Sequence, residues 1–299
     1  MTDSPKNEVR VIPCDSWDDF VTEIRKPVTM PRNDGVCRAG DGAIFRGHAD
    51  ISWKLSSTIE RNLKINGTAK DPDGNDLPHY SLKQNYGEEI YEHMCENILS
   101  RFREFSKGMP GIDYTASDLE LWTIGRHYNL LSPYLDWTRS PYIAAFFAFE
   151  NIYNGFKYLQ RSYSTIPEIK LVHVWGYRIW DILPEEKDSN LEIIPTKNFH
   201  TSRARSQQGW FTKLLTAKYT DIESYLLSIG KAYYLERYEI NTEAAMDALN
   251  DLTLMNINYL SLFPDSFGAA LHSNINTSQF GDSLHTREMF GNKKETNLL

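Results

Sequence analysis

The residues best placed to do chemistry stand where a strand-like segment turns into a helix. Asp136, Thr138 and Ser140 supply one carboxylate and two hydroxyls just before Pro141. Ser140 is a good N-cap residue, and proline is tolerated in a first helical turn. Because helix N-termini favour anionic groups, this turn predicts a site for an anion such as a phosphate. The alternative is that Asp136 and Ser140 only satisfy the turn and cap the helix, although capping needs one such residue and the turn supplies three.

Two further stretches contain residues that could bind a ligand. Arg46 ends a short apolar run and is followed by Gly47, which would permit close approach of a ligand; the alternative for Arg46 is a surface ion pair. Gln207 and Gln208 follow Arg203 and its neighbours, and these amides could instead satisfy backbone groups at a sheet edge. The arginines there could bind phosphate or form a solvated charged face.

The elements that must position these residues are read from periodicity and turn signals. The helix predicted after Ser140 has apolar residues on nearly all of its faces, which is typical of a buried helix. Loops are predicted over 26–42 and 182–200, and a polar excursion over about 65–80. The predicted helices begin near Trp17, Thr58, Leu82, Asp118, Pro141, Thr242 and Pro264, and the predicted strands cover 9–12, 43–48, 52–55, 169–179 and 231–240. This pattern favours an α+β fold with a mixed, mostly antiparallel sheet and flanking helices.

Composition limits the function classes. The chain has 299 residues and a formal net charge of −8, which argues against bulk attraction to nucleic acid or anionic membrane. No apolar run approaches the roughly 20 residues of a membrane span, and the N-terminus lacks a signal-peptide pattern. Three separated cysteines predict neither a disulfide framework nor a metal site, and no glycine-rich phosphate loop occurs. We therefore expect a soluble cytoplasmic protein.

Several of these stretches together resemble the FRG-domain family, named for a leading Phe-Arg-Gly. Here that element is Phe45-Arg46-Gly47, and the run from His127 to Thr138 is similar to the family's central His-Tyr…Leu-Asp-Trp-Thr signature. Later elements are matched by 207–211 and by Leu262-Phe263-Pro264-Asp265. The resemblance predicts a lead-in over 1–42, an FRG domain over 43–272 and a polar tail over 273–299. Asn129, Leu131 and Pro133 depart from the usual Gly, Pro and Arg.

A second resemblance, to ADP-ribosyltransferases of the arginine-first type, implies a mechanism and a divergent split sheet. In that family an aromatic-Arg-Gly strand, a Ser-Thr-Ser strand with its helix and a Gln-x-Glu element follow in order. The resemblance implies that the ligand is NAD and that Arg46 and Gly47 lie against one of its phosphates. Arg46 would donate charge-assisted hydrogen bonds to that phosphate. It further implies that the nicotinamide and ribose contact His127, Tyr128, Thr138 and Ser140.

The same resemblance assigns catalysis to Arg46, Asp136, Gln207 and Gln208. Cleavage of NAD leaves an oxocarbenium-like ribose, which a nearby carboxylate stabilises. Gln207 and Gln208 stand where the family has a glutamate, so Asp136 is expected to supply the charge. Glu236 and Glu239 are less favoured substitutes.

Three function classes stay open. The first is an NAD-consuming transferase or hydrolase, which by resemblance would be a bacterial toxin or phage-defence effector with an unknown macromolecular acceptor. The second is a nucleotide- or nucleic-acid-binding module without chemistry that uses Arg46, Arg126, Arg139 and Arg203 as phosphate contacts. A metal-dependent nuclease is the least favoured class, because no tight cluster of Asp, Glu and His stands out.

Overall fold

The fold is α+β, as the sequence predicts. In the computed structural model, residues 6–29, 36–38, 42–62, 82–153, 171–178, 190–195, 202–216 and 218–273 are described. The predicted excursion at 65–80 and the tail beyond residue 273 lie outside these ranges. Within them no helix is both long and apolar enough to cross a membrane.

A seven-stranded mixed sheet forms the centre of the molecule. Its strand order is β1-β9-β6-β4-β5-β8-β7, with one parallel pair, β1 and β9, and antiparallel pairs elsewhere. The strands are β1 (Arg10–Cys14), β4 (Ala43–His48), β5 (Tyr134–Thr138), β6 (Leu171–Arg178), β7 (Leu191–Pro195), β8 (Gly209–Leu214) and β9 (Leu235–Asn241). A separate antiparallel pair consists of β2 (Pro27–Thr29) and β3 (Val36–Arg38).

Helices flank the sheet and connect its strands. They are α1 (Trp17–Arg25), α2 (Thr58–Asn62), α3 (Leu82–Phe105), α4 (Asp118–Arg126), α5 (Pro141–Tyr153), α6 (Ser202–Ser206), α7 (Ile222–Ser228), α8 (Ala245–Leu254), α9 (Tyr259–Leu262) and α10 (residues 266–273). Short 3₁₀ turns cover Ala232–Tyr234 and Thr242–Ala244. Capping boxes at Ser16 and Ser117 fix where α1 and α4 begin.

Buried side chains form three hydrophobic clusters. In the largest cluster, α1, α5 and α8 pack on β4, β6 and β9. In the second cluster, α7 packs on β4, β5, β6 and β7. The third joins α2, α3 and α4. Trp17, Phe20 and Ile24 of α1 belong to the largest cluster, and β1 pairs with β9. The segment from Arg10 to Arg25 is therefore part of the same sheet and the same core as the later residues.

Several predicted elements need correction. The segment 182–200, expected to be irregular, contains strand β7, and the loop expected over 26–42 contains β2 and β3. The strand expected over 52–55 is a turn, in which the Asp50 carboxylate accepts hydrogen bonds from Ser52. Strand β9 begins at Leu235 because the three residues before it form a 3₁₀ turn. Helix α3 is kinked at Gly87, where φ is +82°.

The feature that positions the site is an opening between β4 and β5. Strand β4 pairs with β6 along all six of its residues, from Ala43 to His48. Its pairing with β5 is a single residue pair, Phe45 with Thr138. The sheet therefore divides beside Arg46 into a half with β1, β9, β6 and β4 and a half with β5, β8 and β7.

Candidate functional site

Arg46 bridges the opening in the sheet. Its Nη1 donates a hydrogen bond to the Asp136 carbonyl oxygen of β5 at 2.7 Å, and its Nε donates to His48 Nε2 on its own strand at 2.9 Å. Where two strands separate, their backbone groups lose ladder partners and need others. The Arg46 guanidinium supplies one such partner to β5.

A cavity of about 530 Å³ lies at this opening. This volume is within the range usual for pockets that bind small ligands. Its charged and polar lining comes from β4, α4, β5, α5, α6 and the turn after α6: Arg46, Thr123, Arg126, His127, Asn129, Asp136, Thr138, Glu150, Arg203 and Gln207. Its apolar lining is mostly aromatic: Phe45, Trp53, Trp137, Phe147, Trp210, Phe211, Tyr259, Phe263, Phe267, Leu271, Ala144 and Ala204.

Helix α4 ends with its last residue pointing at β5. Arg126 forms an ion pair with the Asp136 carboxylate, and its Nη1 donates to the Tyr134 carbonyl oxygen at 2.7 Å. The Arg126 side chain is 11% exposed, whereas that of Asp136 is 46% exposed. Arg126 is thus held largely inside the protein, and the Asp136 carboxylate remains accessible from the cavity.

Positive charge accumulates around this carboxylate. The pKa of Arg46 is lowered to about 9: burial is the main cause, the Asp136 carboxylate acts against it, and Arg61 and Arg126 act in the same direction as burial. Burial also lowers the pKa of Arg61, with Arg126 acting in the same direction and Asp136 in the opposite one. A pKa near 9 leaves Arg46 protonated at neutral pH. Three arginines therefore lie close to one carboxylate, and an anionic ligand would relieve their mutual repulsion.

His127 lies at the C-terminal end of α4 and lines the cavity in an uncharged state. Burial lowers its pKa to about 4, with Arg203 and Arg126 acting in the same direction against Asp136 and Asp265. The imidazole is consequently neutral at pH 7, so that it can donate from one ring nitrogen and accept at the other.

Another part of the cavity wall is held together by Arg203. This buried arginine forms an ion pair with Asp265 and donates from Nη1 to the His127 carbonyl oxygen at 3.4 Å. Its guanidinium also lies 5.2 Å and 5.0 Å from the ring centres of Phe263 and Phe267. Arg203 thereby joins α6, the end of α4 and the start of α10 around the cavity.

The structure brings most of the predicted site residues to this cavity and places three of them elsewhere. Arg46, Gly47, His127, Asp136, Thr138 and Gln207 line it. Tyr128, Ser140 and Gln208 are not among its lining residues.

The surroundings of the three residues outside the cavity differ from one another. The Tyr128 side chain is 63% exposed at the surface. Ser140 caps α5, because its Oγ accepts a hydrogen bond from the Ile143 amide at 3.3 Å. Gln208 has a positive φ of 49°, and its carbonyl oxygen accepts from the Arg139 amide at 3.1 Å.

Gly47 has a packing role that the sequence reasoning did not anticipate. A Cβ atom at this position would lie 1.9 Å from the Ala144 carbonyl oxygen and 2.6 Å from the Ala148 nitrogen. The glycine therefore permits close approach of β4 to helix α5. Close approach of a ligand, the reason expected from the sequence, is not needed to explain it.

The two glutamates considered as substitute carboxylates lie away from the cavity. Glu236 is paired with Arg10 and accepts a hydrogen bond from the Tyr238 hydroxyl, and Glu239 is paired with Arg237. Both are on β9, which is separated from β4 by β6. This part of the sequence interpretation was wrong because strand order cannot be read from position in the chain.

Sequence reasoning also missed lining residues. Glu150, in the second half of α5, is a second carboxylate of the cavity, and Trp53 and Phe267 contribute aromatic surface. Phe147 and Trp210 are only partly buried, and both line the cavity as well. Glu150 could have been suspected because it is an acidic residue in an otherwise apolar helix.

Comparison with known protein families identifies a domain within the chain. A family model described as FRG domain matches residues 41–155. The chain therefore carries an FRG domain, and the matched segment includes β4, α4, β5 and α5 with Arg46, Arg126, His127 and Asp136. The comparison with curated proteins and the comparison with solved structures found no match.

Proposed function

We propose that the cavity binds NAD and that the protein cleaves its nicotinamide–ribose bond. The observation that carries this proposal is that Arg46, Arg126 and Asp136, from three separate elements, meet at a cavity of about 530 Å³. The pyrophosphate would bind to the arginines through charge-assisted hydrogen bonds, and the bases would contact the aromatic wall.

The arrangement of the strands supports the same proposal. The three stretches likened to ADP-ribosyltransferase elements lie on β4, on β5 and at the start of β8, and these strands are neighbours in that order. Residues far apart in the chain are thereby brought to one place. An opening in the sheet at β4 and β5, which share a single residue pair, also supports this proposal.

The reaction needs no group beyond water or an acceptor nucleophile. The bond between ribose C1′ and the nicotinamide ring nitrogen breaks, and its electron pair leaves with neutral nicotinamide. The Asp136 carboxylate would stabilise the positive charge on the ribose. Water then adds to C1′ and releases one proton, or the nucleophile of a macromolecule takes the place of water. For a macromolecular acceptor, the ADP-ribosyltransferase resemblance favours a role as a toxin or a phage-defence effector.

A second candidate function is binding of a nucleotide without chemistry. It is favoured by the pairing of Asp136 with Arg126, which neutralises the one carboxylate assigned to catalysis. The Gln207 amide is also engaged, because its Nε2 donates to the Leu262 carbonyl oxygen at 3.2 Å. In this case the same arginines bind phosphate and nothing is cleaved.

Incubation of the purified protein with NAD, followed by measurement of released nicotinamide, separates the two functions. Asp136→Asn keeps the shape of the side chain and removes its charge, and Arg46→Ala removes the proposed phosphate contact. We expect both changes to reduce nicotinamide release by at least about a hundredfold. Arg205→Ala, on the exposed side of α6, is the control arginine and should leave release unchanged.

The binding of NAD is measured in parallel by calorimetry. Binding by the unmodified protein without release of nicotinamide, lost in Arg46→Ala and kept in Asp136→Asn, would support the binding module. Absence of both binding and release would refute NAD as the ligand.

A further inference from the structure

The hydrogen bond between Arg46 and His48 fixes the state of the histidine. Arg46 Nε donates to His48 Nε2 at 2.9 Å, and a guanidinium has donors but no acceptor. His48 Nε2 must therefore carry a lone pair, and the imidazole proton must lie on Nδ1. A doubly protonated His48 would place an N–H group and a second positive charge against Arg46.

The surroundings of His48 enforce this neutral form. Its side chain is fully buried, and burial holds its pKa well below the usual value. Arg46, Arg61 and His173 lower it further, and among the causes only the Trp53 backbone acts in the other direction. The groups that face His48 or its neighbour His173 are Arg46 on the same strand, His173 and Trp175 on β6, Asp50 and Trp53 in the following turn, Arg61 on α2, and Arg237 and Glu239 on β9.

His48 and the Asp136 carbonyl oxygen together leave Arg46 little freedom. They engage Nε and Nη1 of the guanidinium from the two sides of the opening in the sheet. To the residues that the structure describes, Nη2 makes no hydrogen bond. A long, flexible side chain loses rotamer freedom when it binds a ligand, and a side chain fixed beforehand loses less.

We propose that His48 is a positioning residue, whose neutral imidazole holds Arg46 across the opening of the sheet so that Nη2 is presented to an anionic group of the ligand. His48 acts through Arg46 and does not itself line the cavity. The inference rests on the proposed function in one respect, since it takes Arg46 to be the ligand-binding group. The imidazole state can be measured whether or not NAD is the ligand.

Two substitutions separate positioning from packing. His48→Gln keeps an acceptor within reach of Arg46 Nε, whereas His48→Leu fills similar space without one. We expect the NAD dissociation constant to rise about tenfold in His48→Leu and to stay within about threefold of the original in His48→Gln. Equal weakening in both variants, with both still folded by circular dichroism, would overturn the proposal, because a packing role predicts no rescue by glutamine.

A nuclear magnetic resonance measurement on the whole 299-residue chain tests the same inference without ligand. Long-range ¹H–¹⁵N spectra at pH 7 report which ring nitrogen of His48 carries the proton. The expected result is the neutral tautomer protonated at Nδ1, with a slowly exchanging Arg46 Nε–H. A proton on Nε2, or a doubly protonated ring, would overturn the proposal. If the protein binds no NAD while this signature is found, the proposed function fails and the positioning of Arg46 stands.

Discussion

Strand pairing is extensive within each half of the sheet and nearly absent at the junction between the two halves. Within each half, neighbouring strands pair along five to seven residues, as in β6 with β9 and β5 with β8. Across the junction, β4 and β5 share the single pair of Phe45 and Thr138. Inside the halves the backbone holds the strands together, whereas at the junction side chains and helix α5 must do so.

This difference explains why the cavity lies where it does. A continuous ladder would leave no space between β4 and β5 and would engage the backbone groups that Arg46 now reaches. Helix α5 follows β5 directly and packs on β4, β6 and α8, so it ties one half of the sheet to the other. The cavity thus forms where the two strands lack backbone hydrogen bonds to each other, and residues of the junction both support the structure and line the cavity.

Gly47→Ala should have the largest effect, because it breaks the contact that joins the halves. The new methyl group would collide with the backbone of α5 at Ala144 and Ala148, which cannot move without displacing the helix. We expect a loss of at least about 3 kcal/mol in the free energy of unfolding, measured by urea denaturation.

Gly176→Ala on β6 is the matched control within one half of the sheet. There a methyl group would lie 3.2 Å from the Phe45 ring, a side chain that can shift slightly, so we expect a cost of about 1 kcal/mol. Equal costs at the two positions would contradict the view that Gly47 marks a special junction.

Acidification should weaken the half that contains β6. His173 is fully buried there, and burial and Arg237 lower its pKa to about 4 against the attraction of Glu239 and Asp50. Between pH 6.5 and 4 the unfolded chain binds this proton and the folded protein does not, so stability falls as pH decreases. We expect His173 to account for about 3 kcal/mol of that fall.

Unfolding free energies of His173→Gln and the unmodified protein, measured from pH 7 to pH 4, test this expectation. The variant should show the flatter profile. His93→Gln, on the exposed surface of α3, is the control for loss of an imidazole. Parallel profiles for the original protein and His173→Gln would refute the assignment.

Arg203→Met tests the other side of the junction. It removes the ion pair with Asp265 and the contacts with the Phe263 and Phe267 rings while keeping an unbranched apolar stem. We expect a loss of about 2 kcal/mol and faster amide hydrogen exchange in residues 266–273. Arg205→Met, an exposed arginine on the same helix, should change neither quantity; a similar loss there would refute a specific role for Arg203.

Much of the fold could be predicted from local signals. The helices predicted to begin near Trp17, Asp118 and Pro141 begin at those residues. Strand β7 could not be found in this way, because its residues Leu191 to Pro195 show no clear alternation. The short strands β2 and β3 stand in a loop rich in turn residues, where pairing depends on the partner strand.

The site was predictable only in part, because its residues converge through strand order. Local chemistry identified Arg46, His127 and Asp136, and the structure brings them to one cavity. The sequence could not show that Gly47 faces a helix, that Glu150 faces the cavity, or that Glu236 and Glu239 lie beyond β6. These facts depend on which strands are neighbours and which face each residue takes.

Ser140→Ala should have the smallest effect, and it separates the two interpretations that the sequence left open. The Ser140 hydroxyl caps α5 through the Ile143 amide and lies outside the cavity lining. We expect a loss of about 1 kcal/mol in the free energy of unfolding, the usual cost of a lost N-cap. NAD affinity, measured by calorimetry, should stay within about twofold of the original, because helix α5 remains held by its contacts with β4 and α8. A large loss of affinity with unchanged stability would instead place Ser140 in the binding site and would extend the ligand beyond the junction to the start of α5.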